Sequence, residues 1–113
     1  MRKLIEFDDD TFGKLKQLGR DRMATLQELA DEAGLSMIHL ALGFVLAHPA
    51  VSSAIIGPRT LEQLESQLGV EKVLLTSDVL DRIDEIVPPG TNMRDADAGY
   101  VPPWIEDASQ RRR

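Results

Sequence analysis

Arg59, between a Gly57-Pro58 pair and a run with helix-start signals, is the side chain best placed for ligand chemistry. Val51 to Ile56 just before it are small, β-branched or apolar, the pattern of a short buried strand. Gly57 and Pro58 then force a turn. Thr60, followed three positions later by Gln63, forms a capping box in which each side chain satisfies a free backbone N–H. The first amides of a helix have no internal partner and lie at the positive end of its dipole, which suits a phosphate. A guanidinium beside them adds a bidentate phosphate ligand. Gln63 and Gln67, at i and i+4, share one face of that helix. The same residues also read as a plain connection carrying a solvated charge, and both readings stay open on the residues alone.

Other candidates carry less. His39 lies on an apolar helix and reads as a hydrogen-bonded edge residue; His48 lies at that helix's C-terminal end, where the dipole favours a cation. Neither has a neighbour at metal-ligand spacing, so no metal site is expected. Asp8, Asp9 and Asp10 read as a solvated cluster, and Arg111, Arg112 and Arg113 as a solvated end.

The elements that would position Arg59 are mostly helices. Asp10 or Thr11 can cap a short helix through Leu18, with Phe12, Leu15 and Leu18 inward, which Gly19 ends or kinks. A second helix is expected over residues 21–33, with Leu26, Leu29, Ala30 and Ala33 as its stripe and Gly34 terminating it. Ser36 caps a helix over residues 37–48 that Pro49 stops; it is apolar nearly all round and therefore a core element. After the strand, Leu61, Leu64 and Leu68 mark the inward face of the helix that Gly69 ends. Ser77 caps a last helix over residues 78–87, with Val79, Leu80, Ile83, Ile86 and Val87 inward, before Pro88-Pro89-Gly90. Residues 90–113 carry four acidic residues, two prolines and no sustained period, and read as an extended tail with Tyr100 and Trp104 as anchors and a disordered end.

The run from Ser53 to Leu64 resembles the eighth strand and following helix of the aldo-keto reductases. The likeness extends back to about Leu29 (LADEAGLSMIHLALGFVLAHP) and forward through IDEIVPPGTN to GYVPP in the tail. That resemblance implies a (β/α)8 barrel binding NADP(H), whose phosphate site follows the last strands at the C-terminal face. It implies Arg59 as the cation for the 2′-phosphate, Gly57 and Pro58 lying along the cofactor, Thr60 donating or capping, and Gln63 and Gln67 at the adenine-ribose end. Members often read Glu-Asn where this chain has Ser66-Gln67. The family's catalytic Asp, Tyr, Lys and His come from an earlier part of a longer chain. Asp95 and Tyr100 copy the separation of that Asp and Tyr, but in a Pro-rich stretch with no lysine beside them to lower the Tyr pKa.

The fold class expected is therefore α/β: residues 1–113 as one partial domain, a C-terminal fragment of a (β/α)8 TIM barrel. Taken alone it would be mostly α-helical, with one clear short strand and a tail over 90–113. The resemblance implies the NADP-binding part of an oxidoreductase that reduces carbonyls to alcohols, inactive without the catalytic residues. A non-enzymatic helical interaction module and a truncated reading frame are the alternatives. One strand cannot make a sheet, so partnership with the remaining barrel or self-association is expected. The net charge of −6 argues against non-specific binding of nucleic acid or anionic membranes. No leader-like apolar run opens the sequence, and the absence of cysteine fits a cytoplasmic setting.

Overall fold

The computed structural model describes residues 9–91 and 99–113. It begins with a 24-residue helix, α1 (Asp9–Glu32). Two helices broken at Gly19 were expected; the structure has one. A glycine inside a helix costs about 1 kcal/mol relative to alanine but removes no hydrogen bond. Here Gln17 donates to Asp21 at 2.8 Å across Gly19, and Lys14 pairs with Asp10 at 2.6 Å. Of the expected inward face of this first stretch, Leu15 is half-buried and Leu18 is exposed, and Phe12 lies outside the described side chains.

α1 ends where Gly34 takes a φ of +69°. Leu35 N–H reaches back to Ala30 C=O at 2.9 Å and Gly34 N–H to Asp31 C=O at 3.1 Å, the paired bonds of a Schellman ending. The chain turns by 90° into α2 (Met37–Leu46), whose first turn Ser36 caps by accepting from His39 N–H at 3.1 Å. Gly43 lets the following chain approach closely: a Cβ there would lie 3.3 Å from Val73 Cγ1. α3 (Leu61–Gln67) is short, and Gly69, at φ +86°, redirects the chain into a 3₁₀ turn (Val70–Lys72). α4 (Ser77–Ile86) is capped by Thr76, not Ser77 as expected: Thr76 Oγ1 accepts from Val79 N–H at 3.4 Å. Two adjacent hydroxyl residues are equivalent caps by type, so packing of Leu80 and Ile83 sets the register.

The core lies where α1, α2 and α4 meet. Leu29, Ala30, Leu40 and Ile83 are buried there, with Leu26, Leu35, Met37, Leu75, Val79 and Ile86 packed around them. α2 is covered on one side only; Ile38, Phe44 and Val45 are exposed among the described residues, although its sequence is apolar nearly all round. The radius of gyration, 16.4 Å, exceeds the roughly 13 Å of a compact domain of this length. Outside the core, α1 and α4 are joined by an ion pair between Glu32 and Arg82.

The Arg82 hydrogen bond, and then its charge, hold the Glu32 carboxyl below its ordinary range. A depressed carboxylate contributes stability above its unfolded pKa, and that stability is lost as pH falls through the folded one. Both side chains are well exposed, so solvent screens the pair and the contribution is small. Glu32→Gln is accordingly expected to lower the melting temperature slightly at neutral pH and not at all in strong acid, as read by circular dichroism over a pH series.

Two further expectations are corrected. Residues 51–56 form no strand, because no described backbone lies alongside to complete a ladder. The end of the tail is ordered, not disordered. A single helical turn, α5 (Pro103–Glu106), is followed by a 3₁₀ turn (Ala108–Gln110) capped by Asp107, which accepts from Ser109 N–H at 2.9 Å. The Ser109 side-chain and backbone hydrogen bonds, with Gln110 next, pull the Asp107 carboxyl below its usual pKa. Trp104 anchors this end by meeting the His48 ring edge-on at 6.1 Å, whereas Tyr100 stays exposed.

Candidate nucleotide site

Residues 51–58 carry the chain from α2 to the turn before α3, and the candidate site residues lie on that turn and helix. Gly57 is open: a Cβ built there meets nothing within 4 Å. Pro58 is half-buried and Arg59 is exposed. The capping box forms with a shift. Thr60 Oγ1 accepts from Gln63 N–H at 3.2 Å, while Gln63 Oε1 accepts from Arg59 N–H at 2.8 Å, one residue earlier than the usual box. The two halves of the cap tie the Arg59 backbone to the start of α3.

The Arg59 guanidinium makes no hydrogen bond or ion pair with another described residue. The Gln63 oxygen accepts the cap bond, and its amide N–H groups make no hydrogen bond with another described residue. Gln67 is half-buried, and its Oε1 is out of solvent with no donor. That oxygen is shielded from a ligand lying on the surface at Arg59. The arrangement thus fits an anion at the Arg59 end: an open glycine, an unengaged guanidinium, and the first-turn amides of Leu61 and Glu62 without internal partners. At the Gln67 end, contact with a ligand would use the amide N–H groups after a side-chain rotation.

The leucine stripe of α3 departs from expectation. Leu64 is half-buried, but Leu61 is 69% and Leu68 58% exposed. Periodicity marked a face, and the described residues do not cover it. α3 is tied to α2 instead by a polar contact, His39 Nε2 to Leu68 C=O at 3.1 Å. His48 Nδ1 accepts from Ala50 N–H at 3.1 Å. Both histidines therefore organise backbone, and no group of metal-binding residues occurs among the described residues. Asp8 and Asp95 lie outside the described residues, as does any pairing of Asp95 with Tyr100.

Sequence comparison places this geometry in context. Residues 2–88 match the Aldo/keto reductase family, and the chain belongs to that family. It is 35% identical over 72 residues, 63% of its own length, to the uncharacterized oxidoreductase YrpG of Bacillus subtilis (strain 168). It is 32% identical over 68 residues, 58% of its length, to a probable voltage-gated potassium channel subunit beta of Arabidopsis thaliana. The matches span 22% and 21% of those two relatives, about a fifth of each. The family implies a (β/α)8 barrel, and the described residues supply helices of such a fold without its strands.

Proposed function

We propose that this chain is the NADP(H)-binding C-terminal part of an aldo-keto reductase barrel in the cytoplasm, and that turnover requires catalytic residues from the rest of that barrel. The observation that carries this reading is the unengaged Arg59 guanidinium beside the open Gly57-Pro58 turn, on a backbone that the Thr60–Gln63 cap ties to the start of α3. Arg59 would clamp the 2′-phosphate, favouring NADP over NAD. Gly57 and Pro58 would lie along the cofactor, Thr60 would hold the helix start, and the amides of Gln63 and Gln67 would face the adenine-ribose end. The bound nicotinamide supplies hydride for a carbonyl carbon; the chain supplies affinity and orientation.

The uncovered Ile55, Leu61, Leu68 and Leu74 favour a partner as well, either the remaining barrel portion or a second copy. They also support a second reading, a non-enzymatic interaction module, since one relative is described as a channel subunit. Calorimetric titration of the purified chain with NADPH, and with NADH as control, separates the two readings. Micromolar NADPH binding with NADH much weaker is the expected result. Absence of heat from both nucleotides with a folded chain would end the nucleotide reading and leave the interaction module.

A further inference from the structure

α3 has seven residues, and a helix of that length is marginal in water without contacts from outside it. Its two ends are held in different ways. At the start, Arg59 N–H donates to Gln63 Oε1 at 2.8 Å, so the backbone that carries the guanidinium moves with the helix. At the other end Leu68 is the capping residue, and Gly69 turns the chain away at φ +86°. The Leu68 carbonyl is one of those that a helix end leaves without an internal partner. It accepts from His39 Nε2 at 3.1 Å, across 29 positions of sequence. A carbonyl only accepts, so Nε2 carries the hydrogen.

His39 is a firm anchor for that bond. It is half-buried in the first turn of α2, where its backbone N–H donates to Ser36 Oγ at 3.1 Å. Gly43, four positions further along, lies on the same face of α2. There the chain that follows α3 returns to the helix: a Cβ on Gly43 would lie 3.3 Å from Val73 Cγ1 and 3.5 Å from Leu75 Cγ. One face of α2 therefore receives both the end of α3 and the segment after it.

We propose that His39 is a positioning residue for the Arg59 site: by fixing the end of α3 on α2 it limits where the Arg59 guanidinium can lie, and so supports its grip on the 2′-phosphate of NADP(H). This inference rests on the nucleotide reading given above. A ligand that meets Arg59 on a loosened α3 must order the helix as it binds, and that cost is subtracted from the affinity. The tie can return no more than one net hydrogen bond, which sets its effect at about 2- to 10-fold in Kd.

The test is a double-mutant cycle on the full chain, read by calorimetric titration with NADPH. His39→Phe keeps a ring of similar shape without a donor and is expected to raise Kd about 2- to 10-fold. With Arg59→Ala already present, the same change should add little, because the contact that His39 supports is gone. His39→Gln, which keeps an N–H donor, should bind like the parent. Equal losses with and without Arg59, no loss from His39→Phe, or a Gln variant as weak as the Phe variant would each overturn the proposal while leaving the nucleotide reading intact. A folded parent that binds no NADPH would overturn both. Should His39→Phe lose helical circular dichroism, His39→Asn, whose shorter side chain falls short of the carbonyl, takes its place in the cycle under the same criteria.

Discussion

Leu29→Ala is expected to cost about 2–5 kcal/mol, enough to remove much of the roughly 5–15 kcal/mol that holds a small domain together. Leu29 is 1% exposed and is the largest fully buried side chain among the described residues. It lies against Ala30, Leu40 and Ile83 at the junction of α1, α2 and α4, so its truncation opens a void shared by three helices. An open groove of about 300 Å³ lined by Leu26, Met37, Leu40, Phe44 and Ile83 adjoins the site. Neighbours with room to move can partly collapse into a new void, which places the loss towards the lower half of the range. Leu61→Ala is the control: that side chain is 69% exposed, and its loss should stay within about 0.5 kcal/mol. Urea denaturation followed by circular dichroism reads both. Equal midpoints for the two variants would mean that the α1–α2–α4 junction is not the core.

Arg59→Ala is expected to weaken NADPH binding by about 1.5–3 kcal/mol, the range for a hydrogen bond to a charged group, which is roughly a 10- to 150-fold rise in Kd. NADH affinity should barely change, because the lost contact is to a phosphate that NADH lacks. The substitution is unusually clean. Arg59 enters the cap through its backbone N–H, which alanine retains, so Gln63 can keep its bond and α3 its start. Loss of affinity can therefore be separated from loss of structure by showing unchanged helicity in the same sample. Arg59→Lys should recover part of the effect, since a lysine supplies charge without the planar fork. If NADPH and NADH weaken equally on Arg59→Ala, the residue does not read the 2′-phosphate.

What the sequence made legible was mostly local. Ser36, Gly34, Thr60 with Gln63, and Gly69 all punctuate the structure where their chemistry predicts, because a cap or a positive φ is decided within a few residues, whereas the helix expected to run to His48 before Pro49 ends at Leu46. The misreadings share a different cause. Gly19 lowers helix propensity enough to suggest an end or kink, but it removes no backbone hydrogen bond, and α1 runs through it. Residues 51–56 have the composition of a strand, but a strand is a relation between segments, and no described segment answers them. Arg111 and Arg112 were read as solvated because their partners, Asp81 and Asp84, lie about thirty positions earlier on the face of α4, a separation that no periodicity reveals. At the candidate site, the residue types and the cap were readable. That Gln63 turns its oxygen to Arg59 N–H, and that Gln67 hides its own, depended on rotamers.

The contact between α1 and α4 has a consequence for how ligand and fold communicate. Glu32 and Arg82 are fifty positions apart, and α2, residues 51–56, the Arg59 turn and α3 all lie within the loop that they close. Closing a loop costs chain entropy, and that cost is smaller when part of the loop is already ordered. A nucleotide gripping residues 57–60 would restrain this loop further, and by mass action it would draw the chain towards the closed state. Saturating ligand should then slow the opening of Leu29 and Ile83, neither of which lies on the Arg59 turn: the core becomes a remote reporter of occupancy through polymer statistics, with no chain of side-chain contacts to carry the signal.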